Sequence, residues 1–241
     1  MASLGGPNII TNGLVLSLDA ANARSYVSGS TTWRDLSGNN NSGSLINGPG
    51  YSSANGGIIV FDGVNDFAQI SDNSFLNFGS GAFTIECFFR PKITQPGGNY
   101  PAILNKSTGD FTDSPLIGAI GWMIYWDNLA SRYRFRLRDG TSSNNIDFPT
   151  SIINNNTWIC LSVTIPNSGD SLIGYHNGNS VGLTTRTVGS TNTNVALTIA
   201  IWREYGRELN TDVGIVRIYN RALSAAEVAQ NYNALKSRFG L

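Results

Sequence analysis

The stretch DVGIVRIYNRALSAAEVAQNYNALKSRFGL, residues 212–241, contains two hydrophobic patterns in succession. Its first part, residues 213–219, is rich in β-branched and aromatic residues, which favour a strand. Ser224 then stands three residues before Glu227, the spacing of a capping box, in which the two residues satisfy free amides at the start of a helix. We therefore expect a strand followed closely by a helix over about 224–237.

The predicted helix carries an apolar stripe. Val228, Tyr232 and Leu235 recur at spacings of four and three residues, which places them on one face. Burying each side chain contributes roughly 1.5–3 kcal/mol, against about 1 kcal/mol for the cap, so docking rather than capping should hold the helix. We expect the helix to close an end or edge of a β-sandwich; the alternative is that the stripe binds a partner.

Upstream of this stretch, short apolar runs alternate with turns rich in Gly, Asn, Pro and Asp, as in antiparallel sheets. In FTIECFFRP, residues 83–91, alternate positions form one apolar face: Phe83, Ile85, Cys87 and Phe89. In RYRFRLR, residues 132–138, the apolar face consists of Tyr133, Phe135 and Leu137. The sequence predicts an all-β fold of two packed antiparallel sheets that ends in a short helix.

Length and charge limit the classes of protein. The 241 residues suit one β-sandwich domain, which we assign to residues 13–241 after an N-terminal arm, residues 1–12. The chain has 16 basic and 16 acidic residues, so it lacks the net positive charge of a general nucleic-acid binder. Neither specific nucleic-acid binding nor membrane insertion is expected, because no apolar run approaches the roughly 18 residues of a membrane span.

The cysteines and the opening residues indicate where the chain folds. Cys87 and Cys160 lie inside apolar runs, where free thiols act as small buried hydrophobes, although a disulfide between the two strands stays open as an alternative. The opening MASLGGPNII has neither the basic region nor the apolar core of a signal peptide. We therefore expect folding in a cytosol.

Several segments resemble, in order along the chain, those of laminin-G-like domains of the concanavalin A-like lectin/glucanase superfamily. Besides the closing stretch, these segments are GLVLSLDAAN, TTWRDLSGNNNSG, VFDGVNDFAQI, FTIECFFRP and NNTWICLSVTI. The resemblance covers nearly the whole chain and implies a two-sheet antiparallel jelly-roll sandwich with a short C-terminal α-helix.

A narrower resemblance concerns the two ends of the domain. GLVLSLDAANARSY and TTWRDLSG, together with IYNRALS and QNYNALKSRFG, are similar to segments of virion proteins of tailed bacteriophages. This similarity implies a non-enzymatic structural protein on the virion surface, assembled in the host cytoplasm as a capsid decoration or head-fibre protein. Its expected partners are phage capsid or other virion proteins, further copies of the chain, and glycans of the host surface. The alternatives are a tail fibre or receptor-binding component and a free-standing lectin-like module.

Catalytic residues are scarce. Glucanases use a pair of carboxylates across the glycosidic bond, but none of the four glutamates, Glu86, Glu204, Glu208 and Glu227, belongs to the E-x-D-x-E strand of glucanases with this fold. His176 is the single histidine and therefore the only possible histidine base for a nucleophile. The sequence predicts no catalytic residue, and a hydrolase ranks behind the binding functions.

No cofactor is required by any motif, but calcium is a candidate ligand. A hard cation takes six to eight oxygens, and two Asx-rich loops offer side-chain donors. These donors are Asp35, Asn39, Asp62, Asn65 and Asp66. Asx turns explain the same residues without metal.

Two surfaces are candidates for other ligands. The run GWMIYWDN offers aromatic rings and hydrogen-bonding groups for a sugar: Trp122, Trp126, Asp127 and Asn128. The alternative is that both tryptophans belong to the core. A row of arginines along one strand face is a candidate protein interface: Arg132, Arg134, Arg136 and Arg138. These arginines require acceptors such as Asp147, a neighbouring subunit or an anionic ligand, or else are simply solvated.

Overall fold

The computed structural model describes residues 7–92, 100–110, 118–150 and 156–241. The strands of its first half, in chain order, are β1 (Leu14–Asp19), β2 (Thr32–Trp33), β3 (Gly43–Ile46), β4 (Gly50–Ser52), β5 (Ile58–Phe61), β6 (Phe67–Ile70), β7 (Phe83–Pro91), β8 (Ala102–Thr108) and β9 (Ile120–Asp127). The strands that follow are β10 (Arg132–Asp139), β11 (Ser143–Asp147), β12 (Ile159–Ile165), β13 (Ser171–His176), β14 (Asn179–Thr185), β15 (Leu197–Ile199), β16 (Ile201–Trp202), β17 (Arg207–Glu208) and β18 (Thr211–Tyr219). The helix α1 spans Ala225–Leu235, and short 3₁₀ turns span Ala54–Gly56, Ser74–Leu76, Arg203–Tyr205 and Lys236–Phe239.

Two large antiparallel sheets form a sandwich. The first sheet has the order β14-β13-β12-β7-β18-β5-β4, and β1 also pairs with β18. The second sheet has the order β11-β10-β9-β8-β15-β6-β3-β2. β16 and β17 form a small separate hairpin. The prediction of an all-β jelly-roll sandwich of the concanavalin A-like type, with a short C-terminal helix, is confirmed.

The main core lies between the two sheets, and the predicted inner faces are correct. The face of β7 that packs into this core consists of Phe83, Ile85, Cys87 and Phe89. The face of β10 that meets it consists of Tyr133, Phe135 and Leu137. The ring of Phe89 contacts that of Tyr133 edge to face at 5.2 Å between centroids, which joins the two sheets across the core.

The C-terminal helix begins with the predicted capping box. Ser224 accepts a hydrogen bond from the amide of Glu227, whose carboxylate in turn accepts one from the Ser224 amide at 2.9 Å. The same carboxylate pairs with Arg221, which holds the pKa of Glu227 down to about 2.

The position of α1 differs from the expectation that it closes an end or edge of the sandwich. It lies on the outer face of the first sheet, where Val228 packs with Tyr175 and Tyr219 of that sheet. Further along, Tyr232 stacks on Phe88 with 6.5 Å between centroids. The physical reason is that the outer face of this sheet carries a second apolar cluster, which includes Phe88, Cys160 and Ile215 and needs a cover.

Cys87 and Cys160 are free and buried, as expected, and burial raises the pKa of both thiols. Among the described residues, no helix is long and apolar enough to cross a membrane. The division into an arm, residues 1–12, and one domain stays a prediction, and residues 1–6 lie outside the described part. From residue 7 onward the arm is attached to α1, since the Ile10 amide donates to Asn231 Oδ1 at 2.8 Å.

Candidate functional site

The structure places the predicted sugar-binding tryptophans toward the core. Trp122 is only 1% exposed and lies 6.1 Å from the Phe83 ring, so it cannot serve as a sugar platform. Trp126 is half-buried and packs edge to face on Tyr133 at 5.1 Å. The cause is their spacing: Trp122, Ile124 and Trp126 lie two residues apart on β9 and so share its inner face, where Ile124 is a core residue.

The two polar residues after these tryptophans close the turn to β10. Asp127 is buried, accepts hydrogen bonds from the amides of Leu129 and Ala130 at 3.1 Å, and pairs with Arg134 at 3.2 Å. Asn128 is half-buried in the same turn. Asp127 therefore serves the turn and the ion pair, rather than an open sugar site.

The predicted arginine row lies on the outer face of the second sheet, but half of it is buried. Asp147, the expected acceptor, pairs with Arg132 at 2.9 Å and also with Arg134. Arg136, 2% exposed, donates to Asn145 Oδ1 at 2.8 Å, and Arg138, 1% exposed, donates to a backbone carbonyl. Arg136 and Arg138 are thus structural and offer no open surface to a partner, which corrects the expectation for these two residues. A protein contact at Arg132 and Arg134 stays a prediction.

The first predicted calcium loop is held by its own hydrogen bonds. Asp35 Oδ1 accepts from the amides of Ser17 at 2.8 Å and Ser37 at 2.9 Å, and its Oδ2 accepts from the Asn41 amide at 3.0 Å. Asn39 donates to Ser37 Oγ at 3.0 Å. These bonds give Asp35 and Asn39 a role in closing the loop without metal.

The second predicted calcium loop is also an Asx turn. Asp66 accepts from the Asp62 amide at 3.0 Å, and Asp62 Oδ1 accepts from the Val64 amide at 2.8 Å. The Asn65 backbone carbonyl accepts a hydrogen bond from Asn47 Nδ2 at 2.8 Å. Desolvation, with the nearby Asp62 charge, raises the pKa of Asp66 to about 6.

Neither loop, both within the described residues 7–92, brings three acidic side chains together. The described residues contain no group of three acidic, histidine or cysteine side chains that could hold a metal ion. A carboxylate that accepts several backbone amides has few lone pairs left for a cation. Calcium binding stays a prediction, and we derive no function from it.

A cleft that the sequence did not indicate lies on the outer face of the second sheet. Its floor comes from neighbouring strands, because Asn105 of β8 is paired with Thr198 of β15, and Thr198 with Gln69 of β6. Leu104 precedes Asn105 and Ile199 follows Thr198, and both of these apolar residues point into the core. The polar row therefore lies on the opposite face of the sheet. The cleft has a volume of about 450 Å³, and its lining consists of Asn105, Ser107, Thr108, Asn194, Val195, Ala196, Thr198, Arg203 and Glu204.

Internal hydrogen bonds orient the polar groups of this outer-face cleft. Ser107 Oγ donates to Asn105 Oδ1 at 2.5 Å, and Thr198 Oγ1 donates to a backbone carbonyl at 3.0 Å. Arg203 donates to Gln69 Oε1 at 2.5 Å and so spans the cleft rim. The 3₁₀ turn Arg203–Tyr205 ends at Gly206 in the left-handed conformation, which returns the hairpin toward β17.

A second cleft of about 440 Å³ adjoins the first and shares Thr108 and Asn194 with it. The segment that lines both clefts is held by Lys106, whose side chain is 1% exposed. Its Nζ donates to Asp72 at 2.7 Å and to the Val195 carbonyl at 2.8 Å. Desolvation lowers the pKa of Lys106, and the Asp72 carboxylate opposes this effect.

Aromatic side chains lie beside the outer-face cleft, on the hairpin that carries Arg203. Tyr205 is 40% exposed, and its ring packs on Trp202 with 4.4 Å between centroids. The Arg207 guanidinium lies over both rings, at 4.8 Å from Trp202 and 5.1 Å from Tyr205. An exposed aromatic edge next to amides, hydroxyls and one acidic side chain suits a polar ligand that has apolar faces.

Comparison with known proteins identifies the kind of domain. The sequence profile described as "Concanavalin A-like lectin/glucanases superfamily" matches residues 62–229. No curated protein matches the chain in sequence.

Solved structures with similar folds include binding domains of clostridial toxins. The binding domain of Paraclostridial Mosquitocidal Protein 1 has a TM-score of 0.71 and 20% identity, with 92% of this chain and 52% of that chain covered. The botulinum neurotoxin serotype D ligand-binding domain in complex with N-acetylneuraminic acid has a TM-score of 0.71 and 14% identity, with 92% and 51% covered. The binding domain of botulinum neurotoxin DC in complex with SialylT has a TM-score of 0.69 and 16% identity, with 94% and 52% covered. The chain therefore spans about half the length of these structures, and at such identities the similarity concerns the fold alone.

Proposed function

Because the chain belongs to the concanavalin A-like lectin/glucanases superfamily, we propose that it is a non-enzymatic, lectin-like module that binds carbohydrate in the outer-face cleft. The observation that carries the proposal is the lining of this cleft. The lining joins amide and hydroxyl groups of the paired strands β8 and β15 to the exposed side chains of Asn194, Arg203 and Glu204 in one concave surface.

The chemistry of the cleft matches that of a sugar. A sugar hydroxyl both donates and accepts hydrogen bonds, and Asn and Thr side chains do the same. Asn105 and Thr198 are only 4% and 2% exposed, so they form the floor of the cleft, and the exposed side chains of Asn194, Arg203 and Glu204 are the groups open to a ligand. Arg203 and Glu204 add one donor and one acceptor at the rim, and the exposed ring of Tyr205, which follows Glu204 in the same 3₁₀ turn but is outside the cleft lining, is open to the apolar face of a sugar.

The toxin domains support a binding role but do not identify the ligand. The serotype D domain was solved with N-acetylneuraminic acid, which is a sugar. This chain corresponds to only about half of that domain, so its own cleft must supply the argument for sugar binding.

The carboxylates in and beside the outer-face cleft favour a binding role over glycoside hydrolysis. Hydrolysis uses two carboxyl groups about 5–9.5 Å apart across the scissile bond. Among the residues that line the outer-face cleft, Glu204 is the carboxylate. Asp72 in the adjoining cleft is held in an ion pair with Lys106 at 2.7 Å.

The test begins with the whole chain on a glycan array, followed by calorimetric titration with the best glycan. Asn194→Ala and Arg203→Ala alter exposed side chains of the cleft and should each weaken binding by about tenfold, through lost hydrogen bonds. Asn179→Ala, on β14 of the opposite sheet, is the matched control and should bind like the parent protein. If no glycan binds, or if all three variants bind equally well, the proposal is wrong.

The sequence similarity to phage virion proteins supports a more specific proposal, in which this module is a structural protein on the virion surface of a tailed bacteriophage. A capsid decoration or head-fibre protein would bind assembled capsid saturably and present its cleft outward. A position in the tail, as part of a fibre or receptor-binding component, is the alternative within the same class.

Gold-labelled antibody microscopy tests this more specific proposal. Particles from the source of the gene would be labelled, and gold would be counted over heads, over tails and over background. Label over heads supports decoration, and label over tails supports adsorption. Label over background alone refutes a virion role. The sugar-binding proposal is independent of this result and is tested by the calorimetric titration.

A further inference from the structure

Arg24, in the loop between β1 and β2, and Arg34, directly after β2, line a cleft of about 280 Å³ on another part of the surface. Within the described part of the chain, the guanidinium groups of Arg24 and Arg34 contact no carboxylate, amide, carbonyl or ring; only their backbone atoms are bonded. Every other arginine engages such a group. The two arginines whose guanidinium groups lack such a partner therefore line the same cleft.

Hydrogen bonds join the two ends of the segment that carries these arginines, residues 24–34. The Arg34 amide donates to the Ser25 carbonyl at 2.7 Å, and Ser25 Oγ donates to the Arg34 carbonyl at 2.6 Å. Trp33, which is fully buried, anchors the same segment to the core. The two backbone positions are thus set side by side before any ligand arrives, which lowers the entropic cost of binding.

The carboxylates near this loop are already used. Asp19 pairs with Arg238 at 2.6 Å. Asp35 accepts the amides of Ser17 and Ser37 and belongs to the neighbouring turn. No acidic side chain is among the described residues that line the cleft. The positive charge of Arg24 and Arg34 is therefore open to an anion from outside, and guanidinium groups bind carboxylate and sulfate oxygens strongly.

A second cleft of about 340 Å³ adjoins the first and shares Ser30 with it. Tyr26, Tyr51 and Pro49 are among its lining residues, and the two tyrosine rings lie 5.2 Å apart. Its other lining consists largely of small polar residues of the loop, which carry hydroxyl and backbone groups. A pyranose ring has both apolar faces and hydroxyl edges and so matches this combination.

We propose that the two clefts together bind an acidic sugar, with its carboxylate or sulfate ester between Arg24 and Arg34 and its ring in the cleft beside Tyr26 and Tyr51. This inference shares with the proposed function the premise that the chain binds carbohydrate. It uses a different surface from the outer-face cleft, so the two sites can be tested separately.

The experiment is a chemical-shift titration of the ¹⁵N-labelled whole chain with three probes: glucuronate, glucose 6-sulfate and glucose. We expect at least one of the two acidic sugars to change the amide chemical shifts of residues 24–34 saturably, and the sugar that does so identifies the anionic group. Glucose should leave these chemical shifts unchanged. The double variant Arg24→Gln/Arg34→Gln should weaken that binding at least about tenfold. Arg203→Gln, in the outer-face cleft, is the matched control and should leave it unchanged.

The outcomes separate this site from the proposed function. The inference is overturned if neither acidic sugar shifts residues 24–34, if glucose shifts them equally, or if the double variant binds like the parent protein. Shifts confined to the amides around Arg203 would overturn it and support the outer-face cleft. Because both arginines are exposed, the double variant should melt at the temperature of the parent protein, and this measurement excludes unfolding as the cause of lost binding.

Discussion

Phe239 should be one of the largest single contributors to the attachment of the C-terminal segment. It is 4% exposed and lies 5.0 Å from the Phe88 ring and 4.5 Å from the Trp158 ring. It also covers Gly214, where an added Cβ would come within 2.6 Å of the Phe239 ring. We predict that Phe239→Ala detaches the end of α1 from the outer face of the first sheet.

The expected loss follows from the area that this side chain buries. An aromatic side chain buries about 150–250 Å², and at about 25 cal/mol/Å² this area contributes roughly 4–6 kcal/mol, which is an upper estimate. Phe→Ala substitutions in protein cores cost about 3–5 kcal/mol. The 3₁₀ turn Lys236–Phe239 can shift to fill part of the space, so we expect a loss of about 3 kcal/mol in the free energy of unfolding.

Urea unfolding, followed by tryptophan fluorescence, measures this loss. Phe75→Ala is the matched control, because Phe75 is 48% exposed, and it should cost less than about 1 kcal/mol. Equal losses for the two variants, or a loss under about 1 kcal/mol for Phe239→Ala, would show that Phe239 does not hold the helix on the sheet.

Three further predictions concern charge and backbone conformation. The pKa of Asp66 is raised to about 6 in the folded state, whereas the unfolded state releases this proton near pH 4. The free energy of unfolding should therefore fall as the pH rises from about 4 to 6. Asp66→Asn should remove that fall, by about 1–3 kcal/mol, as measured by urea unfolding at pH 4, 5 and 6. Arg186→Met should cost at least about 3 kcal/mol in urea unfolding, because the fully buried guanidinium donates to carbonyls that include those of Gly81, at 2.9 Å, and Gly189, at 3.0 Å. Gly121→Ala should lower the melting temperature more than Gly118→Ala, since both have positive φ but only the Cβ added at 121 meets a backbone atom, 2.1 Å from the Lys106 carbonyl oxygen.

Local patterns in the sequence were sufficient for the inner faces of two long strands and for the helix start. The alternation in β7 and β10 assigned the inner faces correctly, because the side chains of a strand point to opposite sides by geometry alone. The capping box at Ser224 and Glu227 was also correct, since its two hydrogen bonds join residues three positions apart.

The candidate site was harder to predict, because it depends on strands far apart in the chain. Asn105 and Thr198 are separated by more than a third of the sequence and carry no shared motif, yet β8 and β15 pair them directly. The only local signal was the outward alternation of Thr198 between Leu197 and Ile199, which indicates a half-polar strand but not a cleft.

The sequence by itself determined the periodicity of each element: which residues share a face of a strand, where the helix begins, and that two sheets should form. The tertiary structure alone decided which faces are covered. Trp122 and Trp126 share a face in any strand, but only the opposing sheet makes that face the core. The arginines at 136 and 138 share a face by sequence, and only the surrounding chain buries them. Alternation is set by bonds between neighbouring residues, whereas burial is set by contacts with distant ones, which no local pattern contains.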